Sequence, residues 1–513
     1  MQDYGFLSVV PPLLTIFVAI YSRNVILALI IGIVSGSLII TDYNPFAALL
    51  NAVENQVLKE IAAGTQVQVI LAIMIIGGFV NLLEKSGGAR AFAGMMTRVI
   101  SSGARAQLLA WLSGLAIFFT DSGNALIIGP LYRSVFDQFR LCREKLAYIL
   151  DTTASPISIL IPFIGWGAYI MSLIESAYED IGLTENAFSV LLNVFPYQFY
   201  AFLALLTVPI VIWTRRDYGP MLRVQKQYLA DLDKQQVSGA VSAADQAQTN
   251  RDDRLGIFLW PLGVMLVLVG SLITWHWLHD GVTGVHIRST LAISYLTASM
   301  TCAIMMKRHK SVSYSESLDI FIKGSEKLVY ISIILVLAWS LNSVTSDLRT
   351  ADYLASVISD SVAPAYFPMI VFVLGALTSL STGSSYGTFA ILMAIAVPVG
   401  YELGASMYLT IAAVLSGGLM GDHASPISDT TVLASVGADC NHLSHVTTQG
   451  AYALLTGAVT LLAYWMAGVY QTPYVVFVAI AILFVSMTLA MRFFGEETAD
   501  SVTAAATVEK DTQ

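Results

Sequence analysis

The feature that most limits what this chain can fold into is a series of apolar runs, many of roughly 17–25 residues, cut by short polar knots. Such runs fall at 6–21, 25–41, 67–83, 195–213, 255–277, 287–306, 328–344, 447–466 and 474–494. With no water to satisfy backbone groups in hydrocarbon, runs of this kind become membrane-spanning helices. Composition agrees: 56% of the 513 residues are hydrophobic and 12% charged, where soluble chains carry about 25% charged residues. Mean hydropathy is +0.70. No basic tract suggests nucleic-acid binding. The three scattered cysteines, Cys142, Cys302 and Cys440, lack metal-ligand spacing and read as apolar packing residues. Met1-Gln2-Asp3-Tyr4 has no basic region or cleavage site of a signal peptide, so the first run is expected to stay in place.

The chain divides at a polar stretch. Residues 1–213 form a first membrane half, 214–254 a linker, 255–495 a second membrane half, and 496–513 an acidic tail expected to be disordered. The linker carries Arg215, Arg216, Arg223, Lys226, Lys234, Arg251 and Arg254, which favour the cytoplasmic side. From there, 255–277 exits, and Lys307-Arg308-His309-Lys310 returns inside. Arg23, Lys85 and Arg90 place Met1 outside. The halves then have opposite orientations, the inverted-topology repeat of many secondary transporters. The expected fold is an all-α polytopic membrane protein of about 10–12 transmembrane segments.

Each half repeats two polar interruptions. Short apolar pieces, 106–119 and 125–136, flank Thr120-Asp121-Ser122-Gly123-Asn124; 367–380 and 388–399 flank Ser381-Thr382-Gly383-Ser384-Ser385-Tyr386-Gly387. Pieces of this length are too short to cross a core of roughly 30 Å, so both read as re-entrant hairpins or broken helices. The second interruption is proline-centred. Asp151-Thr152-Thr153-Ala154-Ser155-Pro156-Ile157-Ser158 in the first half matches Gly421-Asp422-His423-Ala424-Ser425-Pro426-Ile427-Ser428-Asp429-Thr430-Thr431 in the second.

Broken helices expose carbonyls at one end and amides at the other, which serve cations and anions respectively. A carboxylate placed there is costly as a bare ion, and Na⁺ or H⁺ can neutralise it, but not both at once. Asp121, Asp151, Asp422 and Asp429 are therefore the candidate cation and proton carriers. Thr120, Ser122, Asn124, Thr152, Ser155, Ser158, Thr382, Ser384, Ser385, His423, Ser425, Ser428 and Thr430 are candidate supporting ligands, with Na⁺ expected at Asp121, Asn124, Ser155, Asp422, Ser425 and Asp429. His423 suits proton relay. Other polar groups have plainer readings. Asp429-Thr430-Thr431 also suits a cap for a helix from Val432, Glu175, Glu179 and Asp180 a solvated helix end, and His442 and His445 the surface.

Four stretches carry a family resemblance: Phe119-Thr120-Asp121 with Asn124, Arg143-Glu144-Lys145-Leu146-Ala147-Tyr148-Ile149, Gly387-Thr388-Phe389-Ala390, and above all Gly421 to Thr431. They resemble the NhaC-type Na⁺/H⁺ antiporter family of the ion-transporter superfamily. The resemblance implies paired hairpins, elevator-type alternating access, a scaffold able to dimerise, and residence in the bacterial inner membrane. It implies Na⁺ and H⁺ as coupling ions with no other cofactor. Many relatives have two adjacent acids where this chain reads Asp121-Ser122, and often Trp where it has Tyr386. That departure keeps open a small organic anion or amino acid as substrate. No enzyme motif, such as H-E-x-x-H or a nucleophile elbow, occurs.

Overall fold

The computed structural model describes residues 4–62, 64–237, 255–279, 281–309, 312–358 and 362–497, and they are almost entirely helical. Among the described residues eight helices are long and apolar enough to cross a membrane, or nine if the bent pair Ala187–Tyr197 and Phe199–Thr214 is one span. This is fewer than the 10–12 expected. The expected run at 25–41 is a helix of only 16 residues, Val25–Ile40, and the arms of the first hairpin are short or carry charge: Gly103–Ala116 has 14 residues, and Asp121–Gln138 holds Asp121, Arg133 and Asp137.

Both interrupted stretches fold as helix–turn–helix pairs. In the first, Gly103–Ala116 turns into Asp121–Gln138, where Thr120 caps the second arm by accepting from the Gly123 amide at 2.9 Å. In the second, Phe367–Thr382 turns into Ser385–Glu402, and Ser384 caps it from the Gly387 amide at 3.2 Å. Gly383 makes that turn with φ of +65°, and a side chain there would run into the backbone of Ile427. The first polar knot is thus the first helical turn of its outgoing arm, and the second spans the end of one arm, the turn and the start of the next.

The proline-centred breaks differ in extent. In the first half, Arg143–Thr152 stops, a single turn Ser155–Ser158 follows, and Gly165–Asp180 resumes. In the second, Met407–Ala424 gives way almost directly to Asp429–Ala438. That helix begins at Asp429 with Ser428 as its cap, so Asp429-Thr430-Thr431 is its first turn and not the cap of a helix from Val432. A third break, at Leu328, separates Tyr314–Lys327 from Val329–Asp347.

The first hairpin and the short helices are tied into one unit. Arg133 on the first hairpin donates to the carbonyls of Gly437 and Val436 at the end of Asp429–Ala438, at 2.8 and 2.7 Å. Arg143 bridges Asp137 and Asp439. Packed against this unit, Gly64–Lys85 and Tyr314–Lys327 cross so closely that Gly77 and Gly324 leave no room for a Cβ.

The start of the expected linker is structured. Arg216–Tyr218 pairs antiparallel with Gly495–Glu497, and Gly219–Val237 is a helix. The Lys145–Asp217 ion pair, 2.6 Å long with side chains 3% and 0% exposed, anchors that strand to Arg143–Thr152. The soft run at 238–244, the rest of the linker to 254 and the tail from 498 lie outside the described residues; Glu496 and Glu497, assigned to the tail, belong to the strand. Cys142 and Cys302 are buried and Cys440 is partly so, all three unbridged.

Candidate functional site

One cavity of about 260 Å³ gathers the interruptions of both halves. From the first hairpin it takes Thr120, Asp121 and Ser122; from the second, Ser384, Ser385 and Tyr386; from the proline-centred breaks, Ser155, Asp422, Asp429 and Thr430. Residues more than 250 positions apart thus line one space, and helix ends bring them there.

Asp121 is well held. Its Oδ1 accepts from the Ser122 amide at 2.6 Å, and its Oδ2 accepts from the Trp166 indole N–H at 3.1 Å. The Trp166 ring in turn lies 4.4 Å from that of Tyr386. Asp422 is held less completely: it is 3% exposed, and Oδ1 has no partner. The Ser155 hydroxyl, also 3% exposed, has none either. Asp422 and Asp429 act on each other electrostatically, as do Asp429 and Asp121.

Two charged residues on the wall were not anticipated. Glu84, near the end of Gly64–Lys85, accepts from the Thr120 hydroxyl at 2.8 Å. Lys327, at the Leu328 break, donates to Asn81 Oδ1 at 2.8 Å and sits 3.7 Å from Glu84. The cavity therefore holds four carboxylates, Glu84, Asp121, Asp422 and Asp429, against one ammonium. An excess of negative charge in a half-enclosed space calls for cations or protons.

The remaining candidates stand behind this wall. Asp151 is 1% exposed and accepts from the Thr431 hydroxyl at 3.0 Å and the Gln449 amide at 2.5 Å. His445, expected on the surface, is fully buried and lies 3.7 Å from Asp151. Helix His442–Tyr470 points His445, Gln449, Tyr452 and Thr456 inward together. That helical spacing was the available signal, and the polar neighbours of His445 masked it. His423 hydrogen-bonds Tyr200 through Nδ1 at 2.9 Å and Thr152 through Nε2 at 3.3 Å.

Asn124 spends its amide N–H groups on the carbonyls of Thr153 and Gly114, leaving Oδ1 without a partner. Ser158, Thr382 and Ser425 donate to the backbone carbonyls of Phe118 and Ala154, Thr378, and Leu380. Ser428 serves as a helix cap. Glu175, read as solvated, pairs with Arg288 at 2.7 Å. Among the described residues no cluster of His, Cys, Asp and Glu forms a multidentate metal site.

With this geometry in view, comparison with known proteins is direct. The sequence profile of the Na⁺/H⁺ antiporter family matches residues 159–469. The chain belongs to the Na⁺/H⁺ antiporter family. It is similar to an uncharacterized protein of Haemophilus influenzae, 31% identical over 503 residues, covering 94% of this chain and 95% of that one. A shorter stretch is similar to the malate-2H⁺/Na⁺-lactate antiporter of Bacillus subtilis, 30% identical over 107 residues, covering 21% of this chain and 23% of that one. In fold it is similar to the YdaH transporter of Alcanivorax borkumensis, with a TM-score of 0.56, 15% identity, and coverage of 83% of this chain and 89% of that one. The chain is thus a secondary transporter and, with its candidate spans and bacterial relatives, a multi-pass plasma-membrane protein.

Proposed function

We propose that the protein exchanges Na⁺ for H⁺ by alternating access. One observation carries this reading: four carboxylates meet one ammonium in a single cavity built from the broken helices of both halves. Asp121, Asp422 and Asp429 bind Na⁺ or H⁺ in competition, so entry of one releases the other. The partnerless oxygens of Asp422, Ser155 and Asn124 are acceptors suited to a dehydrated cation. Ser425 and the other hydroxyls support the helix breaks.

The halves act as inverted repeats. The arginine-tied unit of the first hairpin and the short helices moves as an elevator against Gly64–Lys85 and its neighbours, carrying Asp121 past Glu84 and Lys327. The test is purified protein in proteoliposomes with a pH dye inside: an inward Na⁺ gradient should drive protons out, and collapse of that signal to the protein-free level refutes the reading.

A second reading has its own support. The cavity is far larger than one ion, and its wall holds both Lys327 and the Trp166–Tyr386 ring pair. An organic solute bearing a carboxylate would pair with Lys327 and lie against those rings, with Na⁺ as driver. Na⁺-dependent thermal stabilisation by a panel of hydroxy acids and amino acids tests it, and absence of any stabilisation by the panel sinks it.

A further inference from the structure

Glu84 and Trp166 line the main cavity, yet the exchange scheme gives neither an ion to carry. Both reach the tip of the first hairpin from helices outside the arginine-tied unit. Glu84, near the end of Gly64–Lys85, accepts from the Thr120 hydroxyl through Oε1 at 2.8 Å. Trp166, in the first turn of Gly165–Asp180, donates its indole N–H to Asp121 Oδ2 at 3.1 Å. Two consecutive residues of the tip are therefore each held by a side chain from a neighbouring helix.

Those neighbouring helices are joined into a frame. Gly64–Lys85 crosses Tyr314–Lys327 at Gly77 and Gly324. Beside the crossing, Asn81 donates to the Ile320 carbonyl at 2.7 Å, and Ser325 donates to the Met74 carbonyl at 2.8 Å. Gly165–Asp180 is bonded to Val329–Asp347, where Trp339 donates to Ser172 at 3.1 Å and Asn342 to the Ser176 carbonyl at 3.1 Å. Its Glu175 pairs with Arg288 of Gly284–Arg308, and both helices pack on Gly64–Lys85. Lys327, on the same frame, donates to Asn81 Oδ1 and lies 3.7 Å from Glu84 Oε2, the oxygen that Thr120 leaves free.

The fit at the tip is close, and the contact is reversible. A Cβ at Gly123 would collide with the Glu84 carboxylate, so glycine lets that group lie over the first turn of Asp121–Gln138. Thr120 already caps this helix through the Gly123 amide, so the helix does not need Glu84 in order to form. Glu84 adds a charge-assisted bond across the boundary, on a helix end that favours negative charge. Such a bond biases a two-state equilibrium by about 10- to 100-fold. That is enough to favour one position and little enough to break in every cycle.

We propose that Glu84 and Trp166 form a two-point dock that holds the hairpin tip at one end of the unit's travel and releases it when the unit moves. They act as positioning residues. The dock rests on the alternating-access reading above but not on which ions are exchanged.

Ser122 lines the cavity beside the dock, so Ser122→Cys places a reporter thiol on the hairpin; Cys440→Ser removes the one native thiol that is not fully buried. A membrane-impermeant thiosulfonate is applied to oriented proteoliposomes from either side, and the two modification rates are expressed as a ratio. Changes in local thiol reactivity cancel in that ratio. The docked tip should make one side faster. Glu84→Ala should shift the ratio toward the other side by about 10- to 100-fold. The Lys327 side chain is 60% exposed, so this change strands no buried charge. Glu84→Gln keeps an acceptor for Thr120 and should shift the ratio less. Trp166→Phe keeps a ring beside Tyr386, loses the N–H donor, and should shift the ratio the same way by about fivefold or more. A ratio unmoved in Glu84→Ala or in Trp166→Phe overturns the two-point dock. If both shift it while proteoliposomes of the parent show no Na⁺/H⁺ exchange, the dock stands and the exchange reading falls. Exchange with an unmoved ratio sinks the dock alone.

Discussion

Asp422 offers the sharpest test of the proposed exchange. Its carboxylate is 3% exposed, lines the main cavity and leaves Oδ1 without a partner. Asp422→Asn keeps the shape and removes one charge. A unit charge about 4 Å from Na⁺ contributes about 4 kcal/mol at an effective dielectric of about 20. At 1.4 kcal/mol per tenfold, that corresponds to nearly three decades of affinity. Asp121 and Asp429 remain to hold part of the ion, so the apparent KM for Na⁺ should rise by ~30- to ~1,000-fold. Stability should move the other way or not at all, because Asp422 repels Asp429 and Asp151 in the folded state. The assay is Na⁺-driven proton movement in proteoliposomes over a wide Na⁺ range, alongside thermal unfolding in detergent. A KM within about threefold of the parent, with an unchanged maximal rate, would refute a central role for this carboxylate.

Other perturbations separate the cavity wall from what supports it. Asp151→Ala should leave the KM for Na⁺ within about threefold but lower the melting temperature, because Thr431 and Gln449 each lose an acceptor worth about 1–3 kcal/mol; a KM shift as large as that of Asp422→Asn would return Asp151 to the cation site. Lys145→Ala should cost about 3–5 kcal/mol by stranding the buried Asp217 charge, and pairing Lys145→Met with Asp217→Leu should recover most of it, as read by thermal unfolding. Gly383→Ala should cost about 1–2 kcal/mol in backbone strain, plus the clash with Ile427, and slow exchange more than it weakens Na⁺ binding. Normal exchange rates in Gly383→Ala would show that the second hairpin turn tolerates a side chain.

How far the fold and site can be read from the chain depends on how local each signal is. Apart from 25–41, whose helix Val25–Ile40 has only 16 residues, the apolar runs became helices long enough to span, because length and hydropathy are properties of a contiguous stretch. The hairpins were readable for the same reason: Thr120 and Ser384 cap helices within three residues of themselves. The repeated Ser-Pro breaks put Asp422, Asp429 and Ser155 on the cavity wall as the pattern implied.

What stayed hidden is long-range. Glu84 next to Lys85 reads as the charged end of a helix, and Lys327 as the end of an amphipathic one. They enter the cavity only because Gly77 and Gly324 let their helices touch. Asp151 carries the same Asp-Thr-Thr signature as Asp429, yet one is sealed behind the wall by Gln449 and His445 and the other opens into the cavity. Sequence pattern decides where a helix breaks and which polar groups it must expose there. Whether that exposure meets a cavity, a buried partner or the opposite charge is set by how the helices pack, since burial and pairing belong to the three-dimensional neighbourhood and not to position along the chain.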